Sequence, residues 1–119
     1  MEDKTLLGSV DVDIQDGIAT ITFFHPSQNS LPGKLLAKLA HSITETGDRD
    51  DVKIIVLKSG GARTFCAGAS FDELISIKDD VTGKAFFSGF SGVINACRTC
   101  KKLIIGRVQG KAVGGGVGV

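Results

Sequence analysis

In the stretch Phe65-Cys66-Ala67-Gly68-Ala69-Ser70, backbone rather than side chains is in a position to do chemistry. Ala67, Gly68 and Ala69 leave their peptide N–H groups open to close approach, so the loop offers hydrogen-bond donors and no acid or base. A second small-residue run, Gly114-Gly115-Gly116, reads either as a close backbone crossing or as a helix start whose free N–H groups face a bound anion or enolate. Reactive side chains are sparse. Cys66 has only His25 and His41 in the whole chain to act as a histidine base, and neither has a clear role by spacing, so a space-filling thiol is the simpler reading. Cys97-Arg98-Thr99-Cys100 closes an apolar-faced helix, whereas a redox pair opens one after a strand, and no second C-x-x-C or His pair completes a zinc site. No metal is expected. Gly106 to Gly110-Lys111-Ala112 is one residue short of a P-loop and lacks its Ser/Thr, and Gly114-x-Gly116-x-Gly118 has the wrong spacing for a dinucleotide fingerprint.

Strands and helices must hold those loops in place. Val10, Val12 and Ile14 alternate with polar residues, Asp16-Gly17 supplies a type I′ turn, and residues 18–24 return as the second arm of a hairpin. After a loop over 25–30, Pro32 suits the first turn of a helix with Leu35, Leu36, Leu39, Ala40 and Ile43 on one face, ended by Gly47 and the charged run 48–51. Residues 52–57 form a continuous apolar run, as in a strand covered on both faces, broken by Ser59-Gly60-Gly61. Ser70 can cap a short helix containing Asp72, Glu73, Leu74 and Ile77. A polar break at Asp79-Asp80 precedes a long helix with Phe86, Phe90, Val93, Ile94 and Cys97 on one face, then a strand over 103–109 and the Gly-rich turn. Strand, strand, helix, strand, helix, strand is an α/β pattern, within one domain spanning 1–119.

Composition narrows the function. With 119 residues, 42% hydrophobic, 23% charged and a net charge of +1, the chain lies in the range of one globular domain and has no basic face for nucleic acid. No apolar run approaches the roughly 18 residues of a membrane span, and the N-terminus lacks the order of a signal peptide. A cytoplasmic protein with reduced thiols, neither membrane-bound nor nucleic-acid-binding, is the expectation.

Residues 52–57, then Phe65-Cys66-Ala67-Gly68-Ala69, then Val108-Gln109-Gly110-Lys111-Ala112-Val113-Gly114-Gly115-Gly116 resemble, in order and spacing, the enoyl-CoA hydratase/isomerase (crotonase) superfamily. The resemblance implies the N-terminal half of a ββα spiral, coenzyme A thioesters as substrates with no separate cofactor, fatty acid metabolism as the setting, and trimers or dimers of trimers. It further implies that the thioester oxygen sits between the peptide N–H groups of Ala69 and Gly115, and that Ala67, Gly68, Ala69, Ser70 and Phe71 line the coenzyme A chain and its adenine. Two preorganised donors of this kind stabilise an enolate-like oxyanion, and losing one typically costs about 10²–10³ in rate.

The chain also departs from the pattern. Many hydratases of the family carry a glutamate where this chain has Gly118, and the family's second glutamate falls beyond position 119; Glu45 and Glu73 match neither place, and Ser27-Gln28-Asn29 lacks the basic residue that some members set near the phosphates. A hydratase (lyase) or isomerase is therefore expected, with a catalytically silent acyl-CoA-binding or assembly chain as the alternative. Only three residues follow Gly116, so the 119-residue chain alone is expected to show no crotonyl-CoA hydration.

Overall fold

The first hairpin is set by its turn. Asp16 and Gly17 both have positive φ, 53° and 80°, the type I′ geometry that an Asp-Gly pair adopts with little strain. They join β1 (Ser9–Gln15) to β2 (Ile18–Phe24) as an antiparallel pair, with Val10, Val12 and Ile14 opposite Phe23, Ile21 and Ala19. The computed structural model describes residues 8–26, 29–61, 64–68, 75 and 77–112, of which 85–87 by backbone only. β2 pairs in parallel with β3 (Ile54–Ser59), and β3 in parallel with β5 (Leu103–Arg107), so the sheet runs β1-β2-β3-β5.

Two helices cover one face of this sheet. α1 (Gly33–Gly47) buries Leu35, Leu36, Leu39 and Ile43 at helical spacing, as their sequence positions require. Pro32 stands just outside this helix as its N-cap rather than in its first turn; its carbonyl accepts from Leu36 N–H at 3.0 Å, and it has no N–H of its own to leave unpaired. α2 (Asp80–Thr99) begins at a capping box: Thr82 N–H donates to Asp79 Oδ1 at 2.8 Å, and Asp79 N–H donates to Thr82 Oγ1 at 3.2 Å. Among the described residues its buried positions are Val93 and Ala96, and Phe90 and Cys97 are half-buried against the core, as expected of that face; Ile94 is exposed instead, and the Phe86 side chain lies outside the described residues. The helices approach each other closely. A Cβ on Gly89 would lie 2.7 Å from Leu36 Cδ1, so the helices meet where α2 has no side chain.

The second sheet is a parallel pair of short strands, β4 (Thr64–Cys66) and β6 (Lys111–Ala112). The chain order is therefore strand, strand, helix twice over, followed by a third strand pair, which is the expected ββα repeat. Several boundaries differ from expectation. The apolar strand begins at Ile54 and takes in Ser59; only Ile55, Leu57 and Ser59 are buried, and Ile54, Val56 and Lys58 on its other face are half-buried. Phe65 and Cys66 belong to a strand, not a loop, because Thr64 and Cys66 find ladder partners in Lys111 and Ala112. β5 stops at Arg107, leaving Gln109 outside the ladder. Ile77 lies in irregular backbone, so the short helix does not reach it; Ser70, Asp72, Glu73 and Leu74 lie outside the described residues. Ala19, Ile21, Phe23, Ile55 and Leu57 of the sheet, the leucines of α1, Val93 and Ala96 of α2, and Phe65 and Cys66 of β4 form one continuous core.

Candidate functional site

β4 and β6, the strands that precede the two small-residue runs in sequence, are paired side by side. Cys66 is the ladder partner of Ala112, and the strands run in the same direction, so the chain leaves both at the same end of the pair. Ala69 and Gly115 each follow that paired level by three residues. Both of these positions lie outside the described residues, as do Ser70 and Phe71 of the expected coenzyme A lining; Ala67 and Gly68 are described.

The first loop is anchored at its base. Gly68 is buried with φ +90°, a conformation that glycine tolerates and L-residues rarely adopt. Its carbonyl accepts from Leu31 N–H at 2.8 Å, and its own N–H donates to Cys66 Sγ at 3.4 Å. A trans peptide aims its N–H opposite to its C=O, so holding the Gly68 carbonyl restrains the whole peptide unit that follows it.

Asn29 and Gln109 brace the approach to this loop. Asn29 is only 4% exposed, and its Nδ2 donates to the carbonyls of Gly60 and Thr64, each at 2.8 Å. Its Oδ1 accepts from His25 N–H at 2.9 Å, and its φ of 58° is one that asparagine tolerates better than most residues. Gln109 Nε2 donates to Ser59 Oγ at 2.9 Å and to the Gly61 carbonyl at 3.2 Å. The bonds from Asn29 Nδ2 and Gln109 Nε2 tie the end of β3, the turn after it and the start of β4 to the segments before α1 and after β5. Sequence reasoning missed both residues. A turn-forming Asn in a Pro-Ser-Gln-Asn-Ser run was visible, but its targets, more than thirty residues away, were not.

The cysteines have structural surroundings. Cys66 is fully buried, and burial pushes its thiol above the ordinary value, with the Gly68 N–H opposing in part. His41 Nε2 pairs with Glu45 at 2.9 Å on the exposed side of α1, away from the buried Cys66, and the backbone N–H of His25 donates to Asn29 Oδ1 at 2.9 Å. Burial, and then the neighbouring Cys100, also push the Cys97 thiol up. Cys100 packs against the end of α1, where a Cβ on Gly47 would come within 2.8 Å of its sulfur. All three are free thiols, and among the described residues no group of three or more His, Cys, Asp or Glu could hold a metal ion. Every described carboxylate is exposed.

Apolar space borders the strand pair. A cavity of about 590 Å³ is lined by Leu57, Phe65, Leu103, Ile104, Val108 and Ala112, with Arg98 and Lys102 at its polar side. Among the described residues no helix is long and apolar enough to cross a membrane.

A family model described as enoyl-CoA hydratase/isomerase matches residues 13–119. The chain is 32% identical over 118 residues to a peroxisomal fatty acid beta-oxidation multifunctional protein of Oryza sativa subsp. japonica, covering 94% of this chain and 16% of that one. It is also 32% identical over 116 residues to 4-chlorobenzoyl coenzyme A dehalogenase-1 of Arthrobacter sp, covering 92% of this chain and 41% of the dehalogenase. Among solved structures, DspI of Pseudomonas aeruginosa superposes with a TM-score of 0.83 at 26% identity, over 91% of this chain and 41% of DspI. The chain thus spans less than half the length of each of these relatives.

Proposed function

We propose a function from one premise: this chain belongs to the enoyl-CoA hydratase/isomerase family. The protein processes acyl-CoA thioesters, and its contribution to the reaction is electrostatic. Removing a proton from, or adding a nucleophile to, a carbon conjugated with the thioester drives negative charge onto the thioester oxygen. Backbone N–H groups at Ala69 and Gly115 hold that oxygen, and the 67–71 loop lines the coenzyme A chain. The observation that carries this reading is the parallel ladder Cys66↔Ala112, which sends both small-residue runs out from one end of one strand pair. The bond from Leu31 N–H to the Gly68 carbonyl supports it, since that bond restrains the peptide unit that carries the Ala69 N–H. The apolar cavity beside β4 and β6 supplies lining suited to an acyl group.

Gly118, which stands where many hydratases of the family carry a glutamate, cannot itself serve as the acid/base. Hydration develops the enolate of a 3-hydroxyacyl thioester and isomerisation a dienolate, and both place negative charge on the thioester oxygen, so the two donors serve either. The test is Ala69→Pro in the full-length protein, which deletes one donor N–H. Turnover of an enoyl-CoA should fall about 10²–10³-fold. The absorbance shift of a conjugated acyl-CoA on binding, which reports polarisation of its carbonyl, should shrink, with thermal unfolding as the control for folding. Unchanged turnover and an unchanged shift in a folded variant would remove the oxyanion assignment. Tight thioester binding with no turnover by the wild type would instead favour the catalytically silent reading.

A further inference from the structure

We propose, resting on the acyl-CoA reading above, that Asn29, Ser59 and Gln109 are positioning residues for the thioester site. Gathered on the Thr64 carbonyl, they hold a one-residue register shift between β4 and β6 that keeps the Ala69 and Gly115 donors level with each other. The shift is visible in the ladder. Thr64 pairs with Lys111 and Cys66 with Ala112, so β4 advances two residues while β6 advances one, and Phe65 is the additional residue of a bulge.

At the far end of the strands this additional residue decides alignment. With it, Ala69 and Gly115 both stand three residues past the paired level. Without it, Phe65 would face Ala112, and Ala69 would stand four residues past that level against three for Gly115. One residue of strand is about 3.3 Å, whereas an oxyanion donor has to lie about 2.7–3.1 Å from its oxygen. A slip of that size takes one donor out of reach.

A bulge interrupts the ladder, and buried backbone polar groups must still find partners. Here side chains from three separate segments converge. The Thr64 carbonyl accepts from Asn29 Nδ2 at 2.8 Å and from Ser59 Oγ and Gln109 Nε2, each at 3.4 Å, while Gln109 Nε2 also donates to Ser59 Oγ at 2.9 Å. Asn29, Ser59 and Thr64 are all buried. Each amide side chain leads to one arm of the site. Two residues after Asn29, Leu31 N–H holds the Gly68 carbonyl at 2.8 Å; three residues after Gln109, Ala112 pairs with Cys66. The carbonyl at the bulge is therefore a common point to which both arms are referred.

Isosteric variants of the full-length protein separate positioning from folding. Asn29→Asp and Gln109→Glu keep the side-chain shape and remove the amide donors; Gln109 is exposed, so its variant serves should Asn29→Asp fold poorly. In each, kcat on an enoyl-CoA should fall about 10²-fold, the loss that a misplacement near 1 Å brings, with KM little changed. The absorbance shift of a bound conjugated acyl-CoA should shrink, and amide exchange in β4 and β6 should accelerate. Gly89→Ala, which loads the contact between α1 and α2 and touches neither arm, should lower the melting temperature and leave both the shift and that exchange unchanged. Wild-type kcat, shift and exchange in the two folded amide variants would overturn the proposal, by showing that packing of Phe65 on Phe23 holds the register unaided. So would an equal loss of the shift in Gly89→Ala, which would reduce the effect to lost stability. Ala69→Pro keeps the two readings apart: if it abolishes the wild-type shift and the amide variants do not, the oxyanion assignment stands and the positioning role falls.

Discussion

Asn29 links three segments through one side chain, and its energetic weight follows from what each bond satisfies. Replacing it by Ala leaves the Gly60 carbonyl and the His25 N–H without their side-chain partner and puts a Cβ-bearing residue of no polar compensation at φ 58°. Losing hydrogen bonds to partly buried backbone groups costs about 1–3 kcal/mol, and the backbone strain adds to it, so Asn29→Ala should destabilise by about 2–3 kcal/mol, read as a lower urea midpoint. Asn29→Asp keeps the acceptor and loses both donors, and should recover little; full recovery would show that the donors carry no weight. Cys66 gives a second test. Its folded thiol is raised by burial, so its contribution to stability is complete below the thiol pKa of the unfolded chain and is lost as pH rises through the folded value. Native Cys66 should therefore resist iodoacetamide in mild alkali and react only as the protein unfolds, as mass spectrometry of timed alkylation would show.

Both helices are legible element by element, and each offers a substitution whose sign can be argued. Gly89→Ala gains about 1 kcal/mol of helix propensity, but its new methyl meets Leu36 Cδ1 at 2.7 Å and Leu36 Cβ at 3.3 Å. Leu36 is almost fully buried and cannot swing away freely, so an overpacking cost of about 1–3 kcal/mol should win. A raised melting temperature for this variant would show that α1 and α2 move apart without penalty. At the start of α2, the Thr82 N–H holds the Asp79 carboxyl below the usual range. The cap is thus fully effective above the carboxyl's unfolded pKa and is lost as pH falls through the lower folded value. Amide exchange in the first turn of α2 should accelerate in acid, and Asp79→Asn should keep the cap while abolishing that acid step.

At the scale of the molecule, Phe23 joins the sheet to the site. Its ring meets that of Phe65 edge-on, with centroids 5.3 Å apart and planes at 76°, and so ties β2 to β4, the strand from which the candidate loop leaves. Phe23→Ala should cost about 3–5 kcal/mol in chemical denaturation, and Phe23→Leu much less. If the strand pair positions the thioester oxygen, acyl-CoA affinity should also drop in Phe23→Ala under conditions where it is still folded. An unchanged affinity would separate the core from the site.

Local rules read directly from residues were sufficient for the hairpin, for α1 and for the ββα order. The Asp16-Gly17 pair dictates a turn whatever surrounds it, and the leucines of α1 repeat at the period of a helix. The family resemblance, carried by two backbone motifs, was equally visible before any coordinates. Tertiary structure alone decided the rest, wherever the deciding partner is distant in sequence. Two- and three-residue strands have no period, so pairing of Cys66 with Ala112 could not be read from either. An apolar run such as 52–57 shows that a strand is buried but not on how many faces, and only the assembled sheet shows Ile55 and Leu57 buried while Ile54 and Val56 on the other face are half-buried. That Ala96 is buried and Ile94 exposed, on a helix whose Phe90, Val93 and Cys97 pack as their spacing implies, is likewise set by packing and not by pattern. A hydrophobic pattern records which residues prefer to leave water, whereas packing decides which of them find a surface to leave it against.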